Sequence, residues 1–383
     1  MPVSYDELVR DRRHLHAHPE LGFQEHETAA FIAERLRSLG LEVRMGVGQT
    51  GVVGVLRGPD ASRTVMLRAD MDALPIEEEN DVEYRSTRPG VMHACGHDGH
   101  VAILLGAARA LTAAPQAGSV VFAFQPSEEI RPGGALAMLE DGLMHNPSVD
   151  AVFGLHLISE APVGSVRVRS GPWLASSDAF QAEIIGRGGH AASPHQTIDP
   201  IRIAASVVTA VHSIVSREVA PLESAVITVG TLHAGTLANV IPPSATLGGS
   251  VRTFDQPLRE MIARRIEETV LGISRAMGGD ARVDYRFGYP TLVNDAAMTS
   301  LVETVAREVV GDSFSSCDLS MASDDMAHFL QRAPGCYFGV GTANEARGLT
   351  AGNHQPRFDI DEAALPIGVE MLVGVVQHYF ERG

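Results

Sequence analysis

Short apolar runs alternate along the chain with segments whose apolar residues recur every three or four positions, and that alternation separates strands from helices. Ser4-Tyr5-Asp6-Glu7 has the form of a capping box, so a first helix is expected to open there and to stop before Pro19. Phe31, Ile32, Leu36 and Leu39 stand at helical spacing ahead of Gly40, which predicts a second helix over 28–39. Residues 52–56 and 64–67 read as buried strands. A helix over 101–111, a strand over 119–124, a helix over 135–141 and a strand over 149–157 follow. From Asp178 the order becomes strand, helix, strand, strand, helix, strand, with strands over 180–185, 225–231, 246–254 and 281–287 and helices over 199–218 and 257–277. That is the split order of a ferredoxin-like domain. Beyond Asn294-Asp295 come helices over 296–310 and 323–332, a strand over 336–340 and a last helix over 362–379. The expected fold class is α/β with two domains: a mixed-sheet α/β domain of residues 1–177 and 290–383, and an inserted ferredoxin-like (βαββαβ) domain of residues 178–289.

The length supports this division, since 383 residues exceed the size at which a single core stops growing. Hydrophobic residues make up 45% and charged residues 20%, an ordinary globular balance. The formal charge of 30 − 47 = −17 would repel a phosphate backbone or an anionic bilayer, so neither nucleic acid nor membrane is expected as a partner. Cys95, Cys317 and Cys336 are too few and too scattered for a disulfide framework. The N-terminus lacks a basic and an apolar leader region, and no stretch approaches 18 uninterrupted apolar residues. A cytoplasmic protein is expected.

Chemistry concentrates in His93-Ala94-Cys95-Gly96-His97-Asp98-Gly99-His100, just before a predicted helix. One thiol, three imidazoles and a carboxylate are the donor types of zinc and its neighbours. Other ligand types fall at the carboxyl ends of predicted strands, where open α/β sheets place their chemistry. Asp70 and Asp72 follow one strand, Glu128 and Glu129 another, His156 lies near the end of a third, and His354 follows a fourth. Adjacent carboxylates point different ways, so one of Glu128 and Glu129 can hold a metal while its neighbour handles protons. His14 and His18 share a helix face, yet no thiol or carboxylate is arranged with them, and they are expected to pack. In the insert, His190 in Gly188-Gly189-His190, Asn239 in its loop and the strand residue Arg252 are the polar candidates.

These segments together resemble the metal-dependent amidohydrolases of the aminoacylase and carboxypeptidase type, in the branch with hippurate hydrolases and indole-acetyl-amino-acid hydrolases. The resemblance rests on residues 13–22, Arg68-Ala69-Asp70-Met71-Asp72-Ala73-Leu74-Pro75, residues 92–100, Phe124-Gln125-Pro126-Ser127-Glu128-Glu129, Gly154-Leu155-His156, residues 188–195 and Asn239-Val240-Ile241-Pro242. It implies hydrolysis of the amide bond of N-acyl amino acids by two divalent ions per subunit, zinc, manganese, cobalt or nickel. It also implies that Cys95, His97, Glu129, His156 and His354 are the ligands, Glu128 the general base and Asp70 the carboxylate behind the metals. Relatives outside this branch have a metal-binding histidine at the place of Arg68 and a bridging aspartate at that of Cys95, and His97 looks like the substitute ligand. His190 and Asn239 match residues that meet the substrate, and Arg252 matches the one that holds its carboxylate. The insert is expected to act as lid and dimer contact, lending His190 to the neighbouring active site of a homodimer or higher homo-oligomer. Two departures stand out: Ser323-Asp324-Asp325-Met326 replaces Ser-Glu-Asp-Phe, and Asn353 precedes His354 where leucine is commoner. An aminopeptidase, dipeptidase or deaminase on the same site would call for an acidic residue in place of Arg252. A non-catalytic amide-binding homologue would be expected to have lost a ligand or the base.

Overall fold

The computed structural model describes residues 3–381, the side chain of Ala61 excepted. Backbone contacts group the chain into two units. The first takes the described residues up to Gly171, Val293–Asp318 and those from Asp324 onward; the second takes Pro172–Leu292 and Leu319–Ser323.

The first unit is built on an eight-stranded mixed sheet. Its strands β1 (Glu42–Val47), β2 (Gly51–Leu56), β3 (Asp60–Asp70), β4 (Gly118–Gln125) and β5 (Ala151–Pro162) lie in the order β1-β2-β4-β3-β5. Gly335–Ala343, Val166–Val168 and Phe314–Ser316 complete the sheet on the β5 side. β3 runs parallel to both β4 and β5, and Gly335–Ala343 runs parallel to β5, whereas β1 and β2 form an antiparallel edge. β4 is buried at every position, as its unbroken apolar middle requires of a strand covered on both faces. Helices α1 (Tyr5–Ala17), α2 (His26–Ser38) and α3 (His97–Thr112) follow the same logic. α3 is apolar nearly all round and is buried nearly throughout, against α1 and the C-terminal helix Ala364–Glu381. A Cβ on Gly368 would stand 2.6 Å from Ile103 Cδ1, so a glycine is what lets that last helix lie so close to α3.

Several local expectations differ from what forms. Ser4 precedes α1 but makes no side-chain cap: the Glu7 N–H donates to the Ser4 backbone carbonyl, and the Glu7 carboxylate, which a capping box would turn back to Ser4, is paired with Arg109 at 2.7 Å. β1 has no counterpart in the sequence reading, since its exposed edge position allows Glu42, Arg44 and Gly46 to break any apolar run. The helix expected over 323–332 shrinks to Met326–Leu330: Asp324 and Asp325, which would form its first turn, are drawn to Arg68 instead. The strand expected to end at Leu157 continues to Pro162, because Gly335–Ala343 goes on pairing with it. His156 therefore lies mid-strand, although two residues past Gly154, the last partner of β3.

The second unit has a four-stranded antiparallel sheet in the order Ala225–Ala234, Ser244–Thr253, Ser177–Ile185, Asp280–Tyr289. Helices Pro200–Glu218 and Gln256–Ala276 cover it, burying Ile203, Val207, Ile262 and Ile266 against Phe180, Ala182 and Ile184. Each helix starts with an aspartate, Asp199 or Asp255, whose carboxylate accepts first-turn N–H groups. Among the described residues, no helix is long and apolar enough to cross a membrane.

Candidate metal centre

The first unit gathers its ligand-type residues beyond the carboxyl ends of β3 and β4 and at the start of α3. Gly96, at φ +92°, makes the turn into α3 in the left-handed region, so that Cys95 precedes the helix and His97 begins it. Ser127 follows β4 at φ +48°, an uncommon conformation for a residue with a Cβ. The Ser127 backbone N–H donates to Glu25 Oε1 at 2.8 Å, which holds the turn that leads into Glu128 and Glu129. His354, also left-handed at φ +65°, is pinned by its own N–H donating to the Ala94 carbonyl at 2.7 Å.

Donor atoms of Cys95, His97 and His156 lie within 4.8 Å of one another, and so do those of Cys95, Glu129 and His354 and those of His97, Glu128 and Glu129. Cys95 thus belongs to two three-residue groups, and residues as far apart in the chain as 95 and 354 meet. Cys95 Sγ stands 3.6 Å from His156 Nε2, and Glu129 Oε1 stands 3.1 Å from His354 Nε2. Two donors on one tetrahedral ion at bond lengths of about 2.0 and 2.3 Å would be about 3.5 Å apart, so these separations suit a shared ion.

The imidazoles are oriented from behind. His97 Nδ1 faces only acceptors, the Asp72 carbonyl at 2.9 Å and Asp72 Oδ1 at 3.2 Å, so Nδ1 carries the proton. Its Nε2 is buried and, among the described residues, without a hydrogen-bond partner, which is the state of a ligand nitrogen. His156 Nδ1 donates in the same way to the Leu157 carbonyl at 2.8 Å, leaving Nε2 toward Cys95. His100 is different. The Leu157 N–H donates to His100 Nε2 at 2.9 Å and His100 Nδ1 donates to Asp70 Oδ1 at 2.6 Å, so both ring nitrogens are used and neither can ligate. Asp70 also holds Arg68 through Oδ2 at 2.7 Å, with His97 Nε2 3.7 Å from the same oxygen. Asp72 accepts from the Glu129 N–H at 3.0 Å and so braces a second candidate ligand.

Charge in the site is balanced for a cation. Burial alone would raise the Cys95 thiol, but His97 and His156 outweigh it and hold the group well below the ordinary thiol range. Burial would lower His156, yet Cys95 and Asp70 push it up to about 9. Hydrogen bonds to Cys95 and Glu129 push His354 up to about 10. Protons drawn onto imidazoles beside a thiolate are the charges that a divalent ion replaces on binding. Glu128 is raised well above the usual carboxyl range by burial and by the neighbouring Asp324 and Glu129.

Sequence reading missed two supports. Arg68 lies fully buried and binds Asp70, Asp325 at 2.9 Å and Asp324 at 3.2 Å, while Gln125 accepts from its Nε at 2.8 Å. Arg12 and His16 of α1 both reach Asp98 Oδ2, at 2.8 and 2.7 Å, and so hold the first turn of α3 beside His97. Apart from Arg68 and Asp70, two positions apart, nothing local marks these pairs, since their members are tens to hundreds of residues apart. His14 stacks on Phe31 with ring centroids 4.5 Å apart, and His18 Nδ1 donates to the His14 carbonyl, so neither joins the centre.

The second unit places His190 and Asn239 together, through a two-stranded ladder of Gly189–His190 with Val240–Ile241. The Ala192 N–H donates to His190 Nδ1 at 3.0 Å, which leaves the proton on the exposed Nε2. Arg252 sits apart from them, its Nη1 donating to Ser323 Oγ at 2.9 Å.

Comparisons with known proteins agree on one family. The model of the peptidase family M20/M25/M40 matches residues 66–378. Thermostable carboxypeptidase 1 of Saccharolobus solfataricus is 40% identical over 368 residues, 95% of this chain and 93% of that protein. An N-acyl-L-amino acid amidohydrolase of Geobacillus stearothermophilus is 47% identical over 290 residues, 75% of this chain and 78% of that one. Among solved structures, the YXEP protein of Bacillus subtilis, described as a dinuclear metal binding peptidase from M20 family, superposes with a TM-score of 0.86 at 32% identity, covering 98% of both chains. The chain belongs to the peptidase family M20/M25/M40 and is an amidohydrolase of that family.

Proposed function

We propose that the enzyme hydrolyses the amide bond of N-acyl amino acids, releasing a carboxylic acid and a free amino acid, at a centre for two divalent ions held by Cys95, His97, Glu129, His156 and His354. The observation that carries this reading is the presence of Cys95 in two overlapping donor groups with the buried carboxyl of Glu128 beside them. One thiolate and three imidazoles favour zinc among zinc, manganese, cobalt and nickel. Ions bound there supply Lewis acidity toward a carbonyl oxygen and toward water. Glu128 takes the proton of the attacking water and delivers it to the leaving amine, a task suited to a carboxyl whose burial raises its proton affinity. Asp70 keeps Arg68 and His100 in place beside the ligands.

The second unit, with its strand, helix, strand, strand, helix, strand order, is read as a ferredoxin-like insert, about residues 178–289, that serves as lid and dimer contact. Arg252 grips the free carboxylate of the substrate with its planar fork. His190 Nε2–H and the Asn239 amide donate to the developing oxyanion. Arg252 lies eight residues along its strand from Ser244, about 27 Å at the usual rise. The segment carrying His190 leaves the sheet at the Ser244 end, where the Gly186 N–H donates to the Pro243 carbonyl at 2.9 Å. An N-acyl amino acid is far shorter than that span, which supports the reading that His190 serves the active site of a second subunit.

The test is a panel of N-acetyl, N-benzoyl and indole-acetyl amino acids assayed for release of the free amino acid, with metal analysis. Glu128→Ala is expected to lose about 10²- to 10⁴-fold in turnover with its metal content unchanged. Loss of bound metal from that variant would overturn the division of roles between Glu128 and Glu129. Mixing Glu128→Ala with His190→Ala subunits is expected to regenerate activity in mixed dimers. Exchange of subunits without any recovery would remove His190 from the partner's site.

A further inference from the structure

Asn353, next to His354, takes up a position from which leucine could do nothing polar. Its Nδ2 lies 3.4 Å from Cys95 Sγ and 3.5 Å from the Cys95 carbonyl oxygen, and its Oδ1 accepts from Ser159 Oγ–H at 2.6 Å. The carbonyl of Cys95 can only accept, so the amide's NH₂ end faces Cys95 and its oxygen faces Ser159. At 3.5 Å the contact with that carbonyl is too long for a good N–H···O bond. The larger sulfur at 3.4 Å is the natural acceptor. Ser159 is itself buried on β5, three residues after His156, and the loop that carries Asn353 is tied down by the His354 N–H on Ala94. The donor is therefore clamped at both ends of its amide and aimed at the sulfur of Cys95, which belongs to two of the donor groups.

We infer that Asn353, oriented by Ser159, is a positioning residue of the metal centre that donates an N–H···S hydrogen bond to the Cys95 thiolate. The inference rests on the reading of Cys95 as a metal ligand. Such a bond draws electron density from the sulfur lone pairs, so the thiolate donates less to the ions it contacts and leaves them stronger Lewis acids. It also limits the orientation of Sγ between its two groups of neighbours.

The enzyme loaded with cobalt(II) reports both statements. A thiolate ligand yields a near-ultraviolet sulfur-to-cobalt charge-transfer band, and a hydrogen bond on the sulfur moves that band to shorter wavelength by stabilising the lone pair. Asn353→Leu is expected to shift the band to longer wavelength, and Ser159→Ala, which keeps the donor but frees it, to shift it in the same direction by less. Ser159→Ala carries the test if the leucine variant does not fold. An unmoved band in the folded variants overturns the role of Asn353 while leaving Cys95 a ligand. Absence of any such band in the unsubstituted cobalt enzyme overturns the ligand reading and this inference with it.

Discussion

His97 and His156 each use one ring nitrogen on a backbone carbonyl, so that the other nitrogen can point to one place only. His190, in the second unit, is held by a single N–H from Ala192, and its ring is exposed. Asn239 is exposed as well, and Arg252 is half-buried. The difference follows the demands of the two tasks proposed for them. Metal ligation needs donor atoms placed to within about 0.5 Å, and such placement comes from packing and from a second layer of hydrogen bonds. Substrate recognition has to let a molecule enter and leave, so its residues sit on accessible segments where fewer groups hold them.

The sharpest way to break this comparison is to remove a proposed ligand that is braced from behind. His97→Ala is expected to lose bound metal on dialysis and turnover with it; a variant that keeps its full metal complement by elemental analysis would show that the centre does not depend on this imidazole. Removing the brace alone should do less. Asp72→Asn keeps both ligands but weakens what holds the His97 ring and the Glu129 backbone, and about 10- to 100-fold weaker metal binding is expected in equilibrium dialysis. Unchanged affinity would mean that the bracing is incidental.

In the second unit the same operation should touch the substrate and spare the metal. Arg252→Ala removes a charged hydrogen-bonding group whose contact is typically worth about 1.5–3 kcal/mol, so KM for an N-acyl amino acid is expected to rise about 10- to 100-fold at unaltered metal affinity. A fall in metal content would show that the two regions are not separable in this way. The smallest effect is expected at His14, which is stacked on Phe31 away from the centre. His14→Ala should leave metal content and kcat as they are, and a loss of metal would admit His14 to the ligand set.

How far these residues could be read in advance depended on the range of the interaction that places them. The buried strands β2 and β4 and the middle of β3 were legible because each is a nearly continuous apolar run, and α3 because its apolar character fills all its faces. β1 was not, since an edge strand tolerates charged residues on its open side. The return half of the capping box at Ser4 is absent where Arg109 holds its glutamate, and the start of the helix at Met326 was displaced by Arg68, 258 positions before it in the sequence. In the centre itself, the dense Cys/His segment identified the chemistry but could not separate His97 from His100. Their roles differ because Leu157 and Asp70 occupy both nitrogens of one ring, whereas Asp72 occupies a single nitrogen of the other.

By itself the sequence determined the kinds of donor available, the order of the main buried strands and long helices and the placement of most candidate ligands after strands, because periodicity and turn chemistry act over a few neighbouring residues. Only the tertiary structure decided which donors converge, which ring nitrogen of each histidine carries a proton, and that Asn353 faces the Cys95 sulfur. Those outcomes depend on hydrogen bonds and burial between segments far apart in the chain, 347 residues for Arg12 and Asp359, and a pattern read along the chain does not contain them.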